Sequence, residues 1–146
     1  TLDIPRSGPW QTHGTALAAS VKHQDPRSVY QVMQQWHARV PELFTGLEQA
    51  SPGASLVAGY QCLRGVTESL YEAVVQEHDI GMRLLADGEW CEGVRALLID
   101  KDKNPDWRFK TVDTVDQGWV DAMMAPMDWA DGHPLRQKLS AVGIAH

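Results

Sequence analysis

With only two cysteines in 146 residues, Cys62 and Cys91, far apart in sequence, this chain has no Cys-x-x-Cys pair, so a disulfide scaffold and a zinc ribbon are both excluded. Both sit in apolar helical patterns and are expected to be buried, reduced thiols in a reducing compartment. Apolar runs extend only a few residues, too short for a membrane span, and no signal or transit peptide is expected at the start. Because the chain opens at Thr1, it reads as processed, trimmed or a fragment. Basic charge is scarce. Thirteen Lys and Arg stand against nineteen Asp and Glu, a net charge of -6, with no basic stripe interleaved with aromatics, so direct nucleic-acid binding is not expected. Alternating strand patterns and internal repeats are also missing.

What is there is enough apolar material for a core, 43% of the residues, arranged at helical spacing. Residues 1–24 mix Pro5, Gly8, Pro9 and Gly14 with isolated hydrophobics and read as an irregular strap with at most a short helix over 15–21. Asp25-Pro26 supplies an N-cap and a first-turn proline, with Val29, Val32, Met33, Trp36 and Val40 on one face. Pro41 starts a short helix turning Leu43, Phe44 and Leu47 inward. Another helix is predicted from Pro52, burying Leu56, Val57, Tyr60 and Leu63 and ending at Gly65. Thr67 is expected to cap the longest helix, over 68–87, with Leu70, Tyr71, Val74, Val75, Met82 and Leu85 inward and Gly88 as its terminator. Residues 89–98 form one more helix, and Leu97 joins the expected interior. Residues 108–146 read as an extended acidic tail with Trp119, Val120, Met123, Met124, Met127 and Trp129 as anchors, which suggest a short helix followed by an extended arm.

The run from Glu92 to Trp107, Glu-Gly-Val-Arg-Ala-Leu-Leu-Ile-Asp-Lys-Asp-Lys-Asn-Pro-Asp-Trp, closely resembles the signature near the C-terminus of 3-hydroxyisobutyryl-CoA hydrolases, in the crotonase superfamily of enoyl-CoA hydratases and isomerases. Ser51-Pro52 opening a helix with Ser55-Leu56, the long helix before Glu92 and a tail ending near Asp131 to Leu135 are similar too. The resemblance implies a mostly α fold over 25–107, the helical C-terminal region of a crotonase-like fold without its ββα spiral core. That core would carry catalysis, through backbone N–H groups of a Gly-rich loop and acidic residues, and none of those segments is found here. No catalytic residue is therefore assigned.

The resemblance places Lys101, Lys103 and Trp107 near a CoA nucleotide, ammonium groups on phosphate and an aromatic beside adenine, against the reading of a solvated turn and a packed Trp. Glu92 and Arg95, three apart on a helix, are read as a structural pair. His13, His23, His37, His78, His133 and His146 show no metal-ligand spacing, so no metal site is assigned. A nucleophilic cysteine beside His78-Asp79 has no sequence pattern behind it.

Two functions follow from the resemblance. One is a non-catalytic structural subunit in a larger mitochondrial assembly, such as a ribosomal subunit. The other is the C-terminal piece of a split or processed hydrolase of valine catabolism, in the mitochondrial matrix, with an acyl-CoA ester as substrate only if another chain supplies the catalytic half; no cofactor is expected. In either case a protein partner, a crotonase-like N-terminal half or subunits of a complex, is expected to cover the helical faces and the arm over 119–129.

Overall fold

The computed structural model describes residues 8–21, 25–65 and 67–143. They are mostly α-helical, with no β-strand among them, and no helix among them is long and apolar enough to cross a membrane. The chain divides into two compact units, Thr1–Ala50 and Ser51–His146. Of the expected histidines, His23 and His146 lie outside the described residues.

In the first unit, α1 (Pro9–Val21) runs through most of the segment expected to be irregular. α2 (Pro26–Arg39) starts as predicted: the Asp25 carboxylate accepts from the Arg27 and Ser28 N–H groups, and Pro26 occupies the first turn, where no backbone donor is needed. The Ser28 hydroxyl also donates to Asp25 and, with these caps, holds its carboxyl below the usual range. α2 packs against α1, where His13 and Trp36 rings meet at 5.9 Å, and against a 3-10 turn at Pro41–Phe44. Leu17, Tyr30 and Leu43 are buried, and burial raises the Tyr30 phenol.

The second unit is organised around α4 (Leu70–Asp87), against which α3 (Pro52–Gly65), α5 (Glu89–Val94), α6 (Gln117–Met124) and α7 (Pro134–Ala141) pack. Ser69 rather than Thr67 caps α4. Its hydroxyl accepts from Glu72 N–H while the Glu72 carboxylate reaches back to Ser69 N–H, a reciprocal pair that satisfies two orphan donors. Gly88, at φ +99°, ends α4 in the left-handed conformation that a side chain would strain.

The interior consists of Leu56, Val57, Tyr71, Val75, Ile80, Ala96, Val112, Val115, Trp119, Val120 and Met123. Leu56 is buried as expected and Tyr60, Val74 and Trp36 are half-buried, but Leu70, Leu85 and Leu97 are exposed at 68%, 46% and 61%, and Leu63 and Met82 are exposed as well. For Leu70, Met82 and Leu85 the reason lies in α4, whose inward stripe is Tyr71, Val75, Asp79 and Ile80. A carboxylate occupies the centre of that stripe, so a count of apolar residues alone places the face about one position away. Both cysteines are also exposed, correcting the expectation of buried thiols: Cys62 lies off the face that α3 buries through Leu56 and Val57.

Residues 108–146 carry the short helix expected at the Trp and Met anchors, as α6, and a further helix, α7, that was not expected. They contain a 3-10 turn at Val112–Thr114, then α6 and α7. The arm expected to be covered by a partner folds onto its own unit, with Trp119, Val120 and Met123 buried. Trp119 meets Phe109 edge to face at 5.1 Å and lies over Gly53 so closely that a Cβ there would fall 2.8 Å from its ring. Gly53→Ala should therefore cost about 1 to 3 kcal/mol by overpacking. Leu56→Ala, by opening a cavity, should cost about 2 to 5 kcal/mol, and urea midpoints check both.

Candidate functional site

Two side-chain clusters in the second unit hold groups capable of chemistry. The first is the signature segment. α5 carries Glu89 and Glu92 one turn apart, a rise of about 4.5 Å, and these meet N–H groups two residues apart in the extended chain that returns past the helix. Glu92 accepts from Asp106 N–H at 2.6 Å and Glu89 from Arg108 N–H at 2.9 Å. Glu89, itself buried, also accepts from the Ser51 hydroxyl, whose oxygen in turn accepts from Ala54 N–H at the start of α3. Between the two returning N–H groups, Trp107 packs on Gly93, its ring 3.0 Å from where a Cβ would stand.

After α5 the backbone widens into a π-helical turn, Arg95–Ile99, which is closed by Asp100 N–H on the Arg95 carbonyl. Every nitrogen of the Arg95 guanidinium is engaged. It forks onto Glu92 at 2.9 and 2.7 Å, reaches Asp100 at 2.6 Å and Asp102 at 2.8 Å, and donates to the Asn104 carbonyl at 3.2 Å. The fork and the Asp106 N–H bring the Glu92 carboxyl down from 4.5 to about 2. Asp102 is lowered mainly by Arg95, and the three carboxylates push the guanidinium upward. This ring tethers a loop in which Lys101 and Lys103 take positive φ values, 57° and 54°, uncommon for residues with a Cβ. Of the three residues that the resemblance links to a CoA nucleotide, both lysines are exposed on the loop and Trp107 is half-buried against α5.

The second cluster was not legible as a unit in sequence. Asp79, buried on α4, accepts from Met127 N–H at 3.0 Å, Trp129 Nε1 at 2.9 Å and His133 Nε2 at 3.1 Å. His133 is also buried, and its Nδ1 accepts from Leu135 N–H at 3.1 Å, capping α7. That assigns its proton to Nε2. Arg83 donates to the Ala125 and Pro126 carbonyls, so α4 grips the connection from α6 to α7 at several points. Burial alone would raise the Asp79 carboxyl, but the Met127 N–H, Trp129 and His133 together hold it below its ordinary value. His78 lies beside them, its ring 5.3 Å from Trp129 and tilted to it, and edge-on to His133 at 5.0 Å. The only sequence signals were the His78-Asp79 dipeptide and the Trp129 anchor; His133 lies 54 positions from Asp79.

The model of the enoyl-CoA hydratase/isomerase family matches residues 5–124. The chain is 37% identical over 82 residues to the mitochondrial 3-hydroxyisobutyryl-CoA hydrolase of Dictyostelium discoideum, 56% of this chain and 22% of that protein. It is 32% identical over 85 residues to the zebrafish protein of the same name, covering 58% and 22%. It is also 32% identical over 97 residues to the small ribosomal subunit protein mS47 of Arabidopsis thaliana, covering 64% and 24%. The chain thus spans between a fifth and a quarter of these curated relatives.

Because Glu92 titrates at about 2 when folded and near 4.5 when not, its contribution to stability is full above pH 4.5 and lost as pH falls toward 2. Glu92→Gln should lower the urea midpoint at pH 7 and flatten its dependence on pH between 4.5 and 2. An equal slope in both proteins would show that the Arg95 ring does not hold in solution.

Proposed function

This chain belongs to the enoyl-CoA hydratase/isomerase family, and from that premise we propose that it is a non-catalytic helical subunit that packs against other proteins in a mitochondrial assembly. One observation carries this reading. The carboxylates of α5, Glu89 and Glu92, are committed to backbone N–H groups and to Arg95, while Trp90, Leu97, Leu98 and Ile99, on α5 and the π-helical turn, are all more than half exposed. Carboxylates that accept two backbone N–H groups and an arginine fork are not poised to move protons in a thioester reaction. Large apolar side chains displayed together in sequence on a pinned turn suit a protein interface, whose core is depleted of charge. A relative named as a small ribosomal subunit protein supports this role, and hydrolase relatives named mitochondrial support the compartment. The partner surface is other protein subunits rather than nucleic acid, in keeping with the acidic balance of this chain.

A second reading is supported by the relatives named as hydrolases: the chain is the C-terminal part of a 3-hydroxyisobutyryl-CoA hydrolase whose reacting groups come from elsewhere. There Lys101 and Lys103, held at positive φ by the Arg95 ring, would meet CoA phosphates and Trp107 would lie beside the adenine.

The two readings separate by measurement. The purified chain should show no turnover of 3-hydroxyisobutyryl-CoA, and turnover abolished by a point substitution within the chain would overturn the non-catalytic reading. Leu98→Ser with Ile99→Ser should weaken assembly by a few kcal/mol if these side chains are central anchors, without changing the helical circular dichroism. If instead the chain restores hydrolysis to a crotonase core, and Lys101→Ala with Lys103→Ala raises KM for the CoA ester, the second reading holds.

A further inference from the structure

We propose that His78, Asp79 and His133 form a binding site for a borderline divalent transition metal, one that ties α4 to the start of α7. One ligand atom from each lies within 4.8 Å of the others, and the Asp79 and His133 side chains are only 7% and 6% exposed. Asp79 Oδ1 is 3.7 Å from His78 Nδ1 and 3.1 Å from His133 Nε2. Ligands about 2.0 to 2.2 Å from a tetrahedral ion are separated by roughly 3.3 Å, so small side-chain rotations bring the three onto one centre. Two imidazoles and a carboxylate match such metals better than calcium or magnesium, which prefer oxygen.

An independent observation concerns His78. Its Nδ1 is buried and has no hydrogen-bond partner, and at 3.7 Å it is too far from Asp79 to share a proton. An orphaned buried nitrogen is destabilising, and coordination would satisfy it. The His78 ring is 26% exposed, and a cleft of about 180 Å³, bounded by Val75, Gln76, Pro126 and Arg136 among others, reaches Asp79. Both provide routes of entry, and with three protein ligands a fourth position is left for water.

Binding has a proton balance of its own. In the metal-free arrangement the His133 proton is on Nε2, donated to Asp79, and Nδ1 accepts from Leu135 N–H. Coordination through Nε2 releases that proton to solvent and Nδ1 takes one up, so the His133 ring itself exchanges one tautomer for the other. Leu135 N–H then loses its acceptor, and Trp129 Nε1 competes with the metal for Asp79 Oδ1. Thiolate coordination at the exposed Cys62 or Cys91 would instead release a proton from each thiol.

Zn(II) is the probe, titrated calorimetrically into the full chain bearing Cys62→Ser and Cys91→Ser. One ion per chain is expected. At a hundredfold excess over Kd the Tm should rise by roughly 10 °C. His78→Ala removes a ligand that makes no hydrogen bond, so this variant should keep its metal-free Tm within a few degrees while its affinity falls by more than the roughly 10- to 100-fold typical of losing an outer partner. The Leu135 amide should shift on binding in the parent and not in His78→Ala. Failure to bind one Zn(II), or binding unchanged by His78→Ala, overturns the proposal.

Discussion

The fork between Arg95 and Glu92 is the contact on which the irregular chain after α5 depends. The 100–108 segment forms neither helix nor strand of its own, and it turns through two residues at positive φ. Such a path persists only where side chains over-determine it. Arg95 does so by spanning Glu92, Asp100, Asp102 and the Asn104 carbonyl from one planar group, which a lysine's single ammonium would not reproduce. Glu92 then passes the constraint on to Asp106 N–H.

The same device recurs along the second unit. Asp79 holds Met127, Trp129 and His133; Asp87 accepts from Trp119 Nε1 and Arg108; Glu89 holds Arg108 N–H and Ser51. Carboxylates on α4 and α5 thus organise chain around them, and the Trp119 and Trp129 indoles pack on the unit with their N–H groups satisfied. The consequence for function is a division of labour. Charged groups that elsewhere serve acid–base chemistry are spent here on architecture, and the surface left over for partners is the apolar one at Trp90 and Leu97 to Ile99.

Much of this was legible locally. Asp25-Pro26, the bounds of α3, Gly88 and the Glu92–Arg95 pair each follow from chemistry within four residues, where spacing alone decides who meets whom. The run from Glu92 to Trp107 likewise carried the family. What periodicity misjudged was the side of α4 that faces inward. Leu70 and Leu85 look like core residues until Asp79 is seen to take the central inward place.

The amino-acid sequence by itself determined the helical class, the caps and terminators, and the family, because these rest on short-range pattern and on an ordered motif. Only the tertiary structure decided which apolar residues are interior, that the arm over 119–129 covers its own unit, and that His133 reaches Asp79 from 54 positions away. Those outcomes depend on how helices pack and where buried polar groups find partners. Such long-range pairings leave no periodic trace in a single chain, since any of several carboxylates and any of several indoles or imidazoles satisfies the same rule.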